Sequence, residues 1–378
     1  MIKVKLWQHK EENKMEKAIK KRGKIGIRAL GKMLLGVAIG VICTNMAGIE
    51  TYAAWDTREG VTALSNLGSG GSDKVWFGSG SDGNGSPIYW RVLDTTANDG
   101  STKALFMLTE YSQGNHVWDS RSSYSNVWAN SNSMKPYLQT DSNGFYNTKF
   151  TAREQNAMVS ITKSESGTPS WNSYASPCGL SSEKIFLLSG LEVGNSTYGL
   201  NSKSNRICST SSSDSTAVWW WLRSAYSGIS DFVAIVHADG SGNGNYSGGT
   251  SGAVRCALNI NLASVIFTSP ASNASGTSNL TLIPASTDEA RKLILRNSGT
   301  NPFSASVSSA SVLAGKELTI TYSGVASSSD YISILLYNSD KMCVYYGTLQ
   351  QAGSSTTASY TIPRDMPGGN YTLKVLDE

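Results

Sequence analysis

Nine of the ten tryptophans fall between Trp55 and Trp221, and none follows. Large aromatic side chains bury the most apolar area per residue, so this stretch must build an aromatic-rich core. The rest of the chain must close a core of another kind. With 378 residues, there is room for two or three domains of roughly 100–200 residues each. Only 16% of residues are charged and 37 are glycine, a composition that suits a loop-rich β protein.

The N-terminus reads as an export signal. Residues 1–32 carry eleven Lys/Arg and three Glu, and Met33 to Ile42 is apolar. Thr51-Tyr52-Ala53 then sets small residues at the −3 and −1 positions of a cleavage site. This order predicts a signal peptide over residues 1–53, a mature start near Ala54, and a secreted or cell-surface protein. The apolar core is shorter than the ~20 residues of a comfortable span. No later segment replaces it, so no stable membrane span is expected after cleavage. From Ala54 onward there are 21 Lys/Arg and 24 Asp/Glu, a formal −3, which excludes a basic footprint for nucleic acid.

Cys178, Cys208, Cys256 and Cys343 remain in the mature chain. Four allow three pairings, and export permits one disulfide, most naturally among the first three. None shows the Cys-x-x-Cys spacing of a metal or redox site.

Composition divides the remainder. Residues 55–267 are dense in Trp, Tyr and Gly. Residues 268–278, Thr-Ser-Pro-Ala-Ser-Asn-Ala-Ser-Gly-Thr-Ser, read as a linker. In residues 279–378, apolar and polar residues alternate in Leu318-Thr319-Ile320-Thr321-Tyr322 and Tyr371-Thr372-Leu373-Lys374-Val375. Strands are expected at 317–323, 331–338, 342–349, 356–362 and 370–376, with weaker ones at 280–283 and 292–296. This spacing predicts an all-β, immunoglobulin-like sandwich, though the Cys…Trp…Cys hallmark is absent. The first domain reads as mixed. Val75 to Gly78, Ile88 to Leu93, Ala104 to Leu108 and Lys184 to Leu188 form strands. Thr151 and Glu154 have capping-box spacing and open a helix to about Val159. Asp239 to Gly249 reads as an exposed glycine loop. The fold class expected overall is α+β.

Several motifs recur in order: Pro87-Ile88-Tyr89-Trp90-Arg91-Val92-Leu93, then Trp128, Leu138, Phe145-Tyr146, Phe150-Thr151 and Glu154. Trp220-Trp221-Leu222-Arg223-Ser224 and Gly252-Ala253-Val254-Arg255-Cys256-Ala257-Leu258 complete the set. From about Lys74 to Ile260 the chain resembles a secreted bacterial domain of unknown function with Trp-Trp-Leu-Arg-Ser and Gly-Val-Arg-Pro-Ala-Leu motifs. Here Cys256 replaces the Pro, and an Ala follows Gly252. The resemblance implies a C-type lectin-like fold, shared with formylglycine-generating enzymes and with retroelement-diversified binding proteins. It also implies a last strand that threads the domain's middle.

The search for chemistry finds little. Gly78-Ser79-Gly80-Ser81-Asp82-Gly83 matches a dinucleotide fingerprint but precedes a strand, not the helix that pyrophosphate needs. His116 and His237 are the only mature histidines, and nothing in the sequence gives either an oriented partner. No calcium-lectin ligand triplet occurs. No catalytic residue, metal or cofactor is therefore expected. Alternation sends Trp219 and Trp221 to one face and Trp220 to the other. Trp90, Trp220, Trp221, Arg223 and Arg255 are read as structural. The ligand surface is expected at Trp219, Tyr226, Ser230, Asp231, His237, Asp239, Asn243, Asn245 and Tyr246, because Tyr, Asn and Ser supply adaptable contacts as in antibody loops. The expected function is non-catalytic binding of a surface glycan or protein. A surface-layer scaffold is the alternative, and a glycan hydrolase is the least favoured.

Overall fold

The computed structural model describes residues 2–7, most of 70–270, the strands 281–282 and 291–295, and most of 303–377. The structure is mostly β and divides into two compact units. Most of the leader lies outside the described residues, but Ile2–Trp7 forms a strand.

The Trp-rich unit is built on two sheets. A seven-stranded sheet runs in the order Val265–Pro270, Arg291–Leu295, Lys74–Ser81, Pro87–Asp94, Ala104–Thr109, Cys256–Asn261, Ile185–Leu187. All six residues of Ala104–Thr109 are buried, as an unbroken apolar run packed on both faces requires. The five-stranded sheet runs Gly242–Tyr246, Phe232–Val236, Trp220–Ala225, Ser251–Ala253, Asn115–Val117. Cys256–Asn261 lies between Ala104–Thr109 and Ile185–Leu187, and Val254 and Leu258 are buried. Val265–Pro270, which runs into the compositional break, and Arg291–Leu295, which lies past it, belong to this unit's sheet. The chain therefore leaves the unit at Ala271, within the 268–278 segment, and returns to it for Ser286–Arg296.

Short helices join the strands: Met134–Gln139, Phe145–Lys149 and Ala152–Ala157. The last opens on the capping box expected from sequence. Thr151 Oγ1 accepts from the Glu154 amide at 3.3 Å, and Glu154 Oε2 accepts from the Thr151 amide at 2.8 Å. A second box, unread in the sequence, joins Ser189 and Glu192 at the start of Gly190–Val193.

The five residues read as structural all lie inside the unit. Trp90, Trp220, Trp221, Arg223 and Arg255 are fully buried. The indole N–H of each of these three tryptophans finds a carbonyl: Trp90 that of Phe77 (2.8 Å), Trp220 that of Arg206 (3.0 Å), Trp221 that of His116 (3.0 Å). The Arg223 guanidinium donates to the carbonyls of Cys178 and Leu187, both at 2.8 Å, to Glu165 Oε1 at 2.9 Å and to Glu192 Oε2. Lys163 donates to Glu192 at 2.8 Å. Matching its charge and N–H groups in this way offsets the cost of burying the Arg223 cation. Arg255 donates to the Thr109 carbonyl at 2.9 Å and lies over the Trp220 ring.

The second unit places two sheets around one core. One runs Thr281–Leu282, Cys343–Gln351, Tyr331–Tyr337, Gly369–Asp377, Ile2–Trp7, Ser311–Leu313, and the other Ser304–Val307, Glu317–Ser323, Thr357–Thr361. Leu318, Ile320, Tyr322 and Tyr360 from the second meet Ile332, Ile334, Leu336, Leu373 and Val375 from the first. Burial alternates strictly along Thr357–Thr361, the period-2 signature that marked the strands in sequence.

Candidate ligand-binding surface

Five aromatic rings form a continuous row on the Trp-rich unit. Tyr174 and Tyr226 stack with centroids 4.9 Å apart and planes 14° from parallel. Tyr226 meets Phe232 at 6.2 Å, Phe232 meets Tyr246 at 6.1 Å, and Tyr246 meets Tyr124 edge-on at 5.0 Å. Register creates the middle of the row: Phe232 and Tyr246 sit directly opposite across the hairpin Phe232–Val236/Gly242–Tyr246. Tyr174 is brought to Tyr226 by main-chain bonds, since Ser227 N donates to the Tyr174 carbonyl and Ser176 N to that of Ala225.

Tyr124 is held by Asp119. That buried carboxylate accepts from the amides of Arg121 (2.9 Å) and Ser125 (3.2 Å) and from the Arg121 side chain. Burial pushes the Asp119 carboxyl up, but Arg121 and these amides outweigh it and leave the group below its ordinary range. Asn126 Nδ2 donates to the Ile229 carbonyl at 3.0 Å, tying this loop to the turn before Phe232. Tyr174 is 55% exposed, Val127 46% and Ile229 42%. Large apolar groups therefore face solvent beside the row.

The glycine run is not an open loop, as the sequence reading had it. Gly242–Tyr246 is a strand, and its glycines are demanded by packing. A Cβ on Gly244 would stand 2.2 Å from the Tyr226 ring, one on Gly248 2.1 Å from the Tyr124 ring, and one on Gly242 2.5 Å from Asn172. The close approach that glycine permits is thus used by the chain's own side chains.

The expected site residues separate into four places. Tyr226 and Tyr246 are in the row, with Ser230 exposed and Asp231 half-buried in the adjoining turn. Asn243 and Asn245 pair with Ile235 and Val233, on the opposite face of the hairpin from Tyr246. Each asparagine accepts from the amide of the residue that follows it. His237 and Asp239 lie at the hairpin's far turn, four residues or about 13 Å along the strand, where Asp239 faces Lys203. Trp219 packs edge-on against Trp221 at 4.8 Å and across Gly252, as part of the core. Tyr124, Tyr174 and Phe232 were missed, because no local spacing links three positions so far apart in the chain.

Other reactive groups are occupied internally. His116 Nε2 lies 3.0 Å from Ser133 Oγ, and its ring stacks on Tyr137 at 4.1 Å. Burial lowers the His116 pKa. Cys178, Cys208 and Cys256 are free thiols. Burial raises all three, Cys178 to about 11, which suppresses the nucleophilic thiolate. Among the described residues no group of three His, Cys, Asp or Glu is placed to hold a metal, and no helix is long and apolar enough to cross a membrane.

Residues 102–262 match the profile of a domain of unknown function (DUF6273). The matched segment runs from the central buried strand Ala104–Thr109 through Cys256–Asn261 and contains the whole aromatic row. No curated protein and no solved structure matches the chain.

Proposed function

We propose that this is an exported, non-catalytic binding protein. In this reading its Trp-rich, C-type lectin-like unit presents the tyrosine row to a surface glycan or protein, and its immunoglobulin-like unit acts as a spacer. The observation that carries the reading is the row itself. Tyr174, Tyr226, Phe232, Tyr246 and Tyr124 join in one row, with Phe232 and Tyr246 on the five-stranded sheet and apolar Ile229 and Val127 exposed nearby. Tyrosine suits such a surface because it offers large area with few rotors and a polar tip. Asp231 acts on Tyr246, and the loop of Tyr124 carries the paired Asp119 and Arg121, so the row meets no strong charge of one sign, which favours a neutral, polar ligand.

The test is binding to immobilised glycans and surface proteins by the exported chain. Tyr174→Ala with Tyr226→Ala should abolish capture while leaving the thermal transition of the unit close to wild type. Capture unchanged by both substitutions would move the site elsewhere. Absence of any capture by the wild-type chain would favour a scaffold.

A further inference from the structure

The six-stranded sheet of the second unit takes one strand from far away in the sequence. Ile2–Trp7 lies between Gly369–Asp377 and Ser311–Leu313. It pairs antiparallel with the first through Ile2↔Leu373, Lys3↔Thr372, Val4↔Tyr371, Lys5↔Asn370 and Leu6↔Gly369. It pairs parallel with the second through Lys5↔Ser311, Leu6↔Val312 and Trp7↔Leu313. The remaining strands of the sheet all come from residues 281–377. Without Ile2–Trp7, Gly369–Asp377 pairs only with Tyr331–Tyr337, and Ser311–Leu313 has no partner strand in this sheet.

That gap is not a peripheral edge. Tyr371, Leu373, Val375 and Val312, on the strands that border it, belong to the unit's core. An open row of main-chain N–H and C=O groups beside a core invites another strand. The register also states what fits. Apolar residues stand opposite Leu373 and Tyr371, and polar ones opposite Thr372 and Asn370.

We propose that the second unit of the exported protein is a strand acceptor. Signal cleavage before Ala54 removes residues 2–7 and opens the slot between Gly369–Asp377 and Ser311–Leu313. An extended segment of another polypeptide then fills it, antiparallel to Gly369–Asp377, with apolar residues at alternate positions and no proline. Main-chain bonds supply the affinity and the alternate positions the selectivity, as in other strand-addition complexes. The inference rests on the leader reading and is independent of the tyrosine row.

The exported chain from Ala54 is titrated with a labelled peptide of sequence Met-Ile-Lys-Val-Lys-Leu-Trp-Gln, and hydrogen exchange is followed. The peptide should bind and slow exchange across 369–377 and 311–313. Its variant with Ile2→Lys, Val4→Lys and Leu6→Lys should bind at least about tenfold more weakly. A second chain carries the same peptide sequence after Glu378 through a short turn, and it should melt higher and no longer bind the free peptide. Full protection of 369–377 in the Ala54 chain before peptide is added would overturn the proposal. So would an unchanged melting temperature in the self-complemented chain. Recovery of the native protein with residues 2–7 attached and protected would show the slot filled in cis and overturn it as well. Binding at the tyrosine row should be unaffected in every chain.

Discussion

The two units reach a closed core by opposite means. In the second, burial alternates along Glu317–Ser323 and Thr357–Thr361, and Leu318, Ile320, Ile334 and Leu373 need only be hydrophobic and of suitable size. In the first, strands are buried on both faces, and three arginines, Arg206, Arg223 and Arg255, lie inside with them. Each of these guanidiniums is held by main-chain carbonyls from other segments. The difference teaches that the Trp-rich unit is specified by matched polar partners as well as by volume. Its tolerance to substitution should be correspondingly lower.

The sharpest way to break that contrast is Arg223→Leu. It leaves the buried Glu192 and Glu165 with Lys163 as the remaining cation paired to them. Loss of one partner of a buried ion pair costs about 3–5 kcal/mol. Denaturant unfolding should show the first unit destabilised by that amount and the second unit's transition unmoved. Adding Glu192→Gln should recover part of the loss, because the two sites are coupled.

Trp220→Ala should follow closely, at about 3–5 kcal/mol for a buried aromatic. Leu318→Ala in the second unit should cost about 2–4 kcal/mol within its own transition. A stable, correctly folded Trp220→Ala protein would contradict the structural role of that ring.

Acid should separate the units next. Burial alone would raise the Glu110 pKa. Bidentate pairing with Arg91 at 2.8 and 3.0 Å, with Lys74 at 3.0 Å, instead holds it at about 2, well below the ordinary 4.5 of a glutamate. A depressed carboxylate contributes stability above its unfolded pKa and loses it as pH falls through the folded one. The first unit should thus weaken between about pH 4.5 and 2, by up to about 3 kcal/mol from this group. Glu110→Gln should flatten that limb of a pH–stability curve.

The smallest effect belongs to Thr151→Ala, which removes one half of a capping box whose helix is partly exposed. Thermal unfolding should register about 1 kcal/mol.

What the sequence made legible follows the same contrast. Alternation exposed the strands at 317–323 and 357–361 because a half-buried strand writes its period directly. The capping box at Thr151 and the buried Trp220 and Arg255 were readable because short motifs carried them. The tyrosine row was not, since Tyr124 and Tyr174 reach it from loops whose positions depend on Asp119 and on main-chain bonds near Ala225. The asparagines at 243 and 245 were assigned to the ligand surface because a glycine-rich strand has the composition of a loop. Only its pairing with Phe232–Val236 reveals the period that turns them away. Arg291–Leu295 returned to the first unit for a similar reason: a five-residue strand does not announce its partner.

The rings lying on Gly242–Tyr246 also decide how this surface can change. Positions 242, 244 and 248 have no room for a Cβ, so replacing any of them displaces the Asn172 side chain or a tyrosine rather than adding a contact. Positions 230 and 231 adjoin the row in a turn, and 243 and 245 lie on the hairpin's other face, where a new side chain meets no ring of the row. A library built on this protein should therefore keep the glycines as a fixed printing plate and randomise the turn, where diversity alters what a ligand meets without unseating the rings.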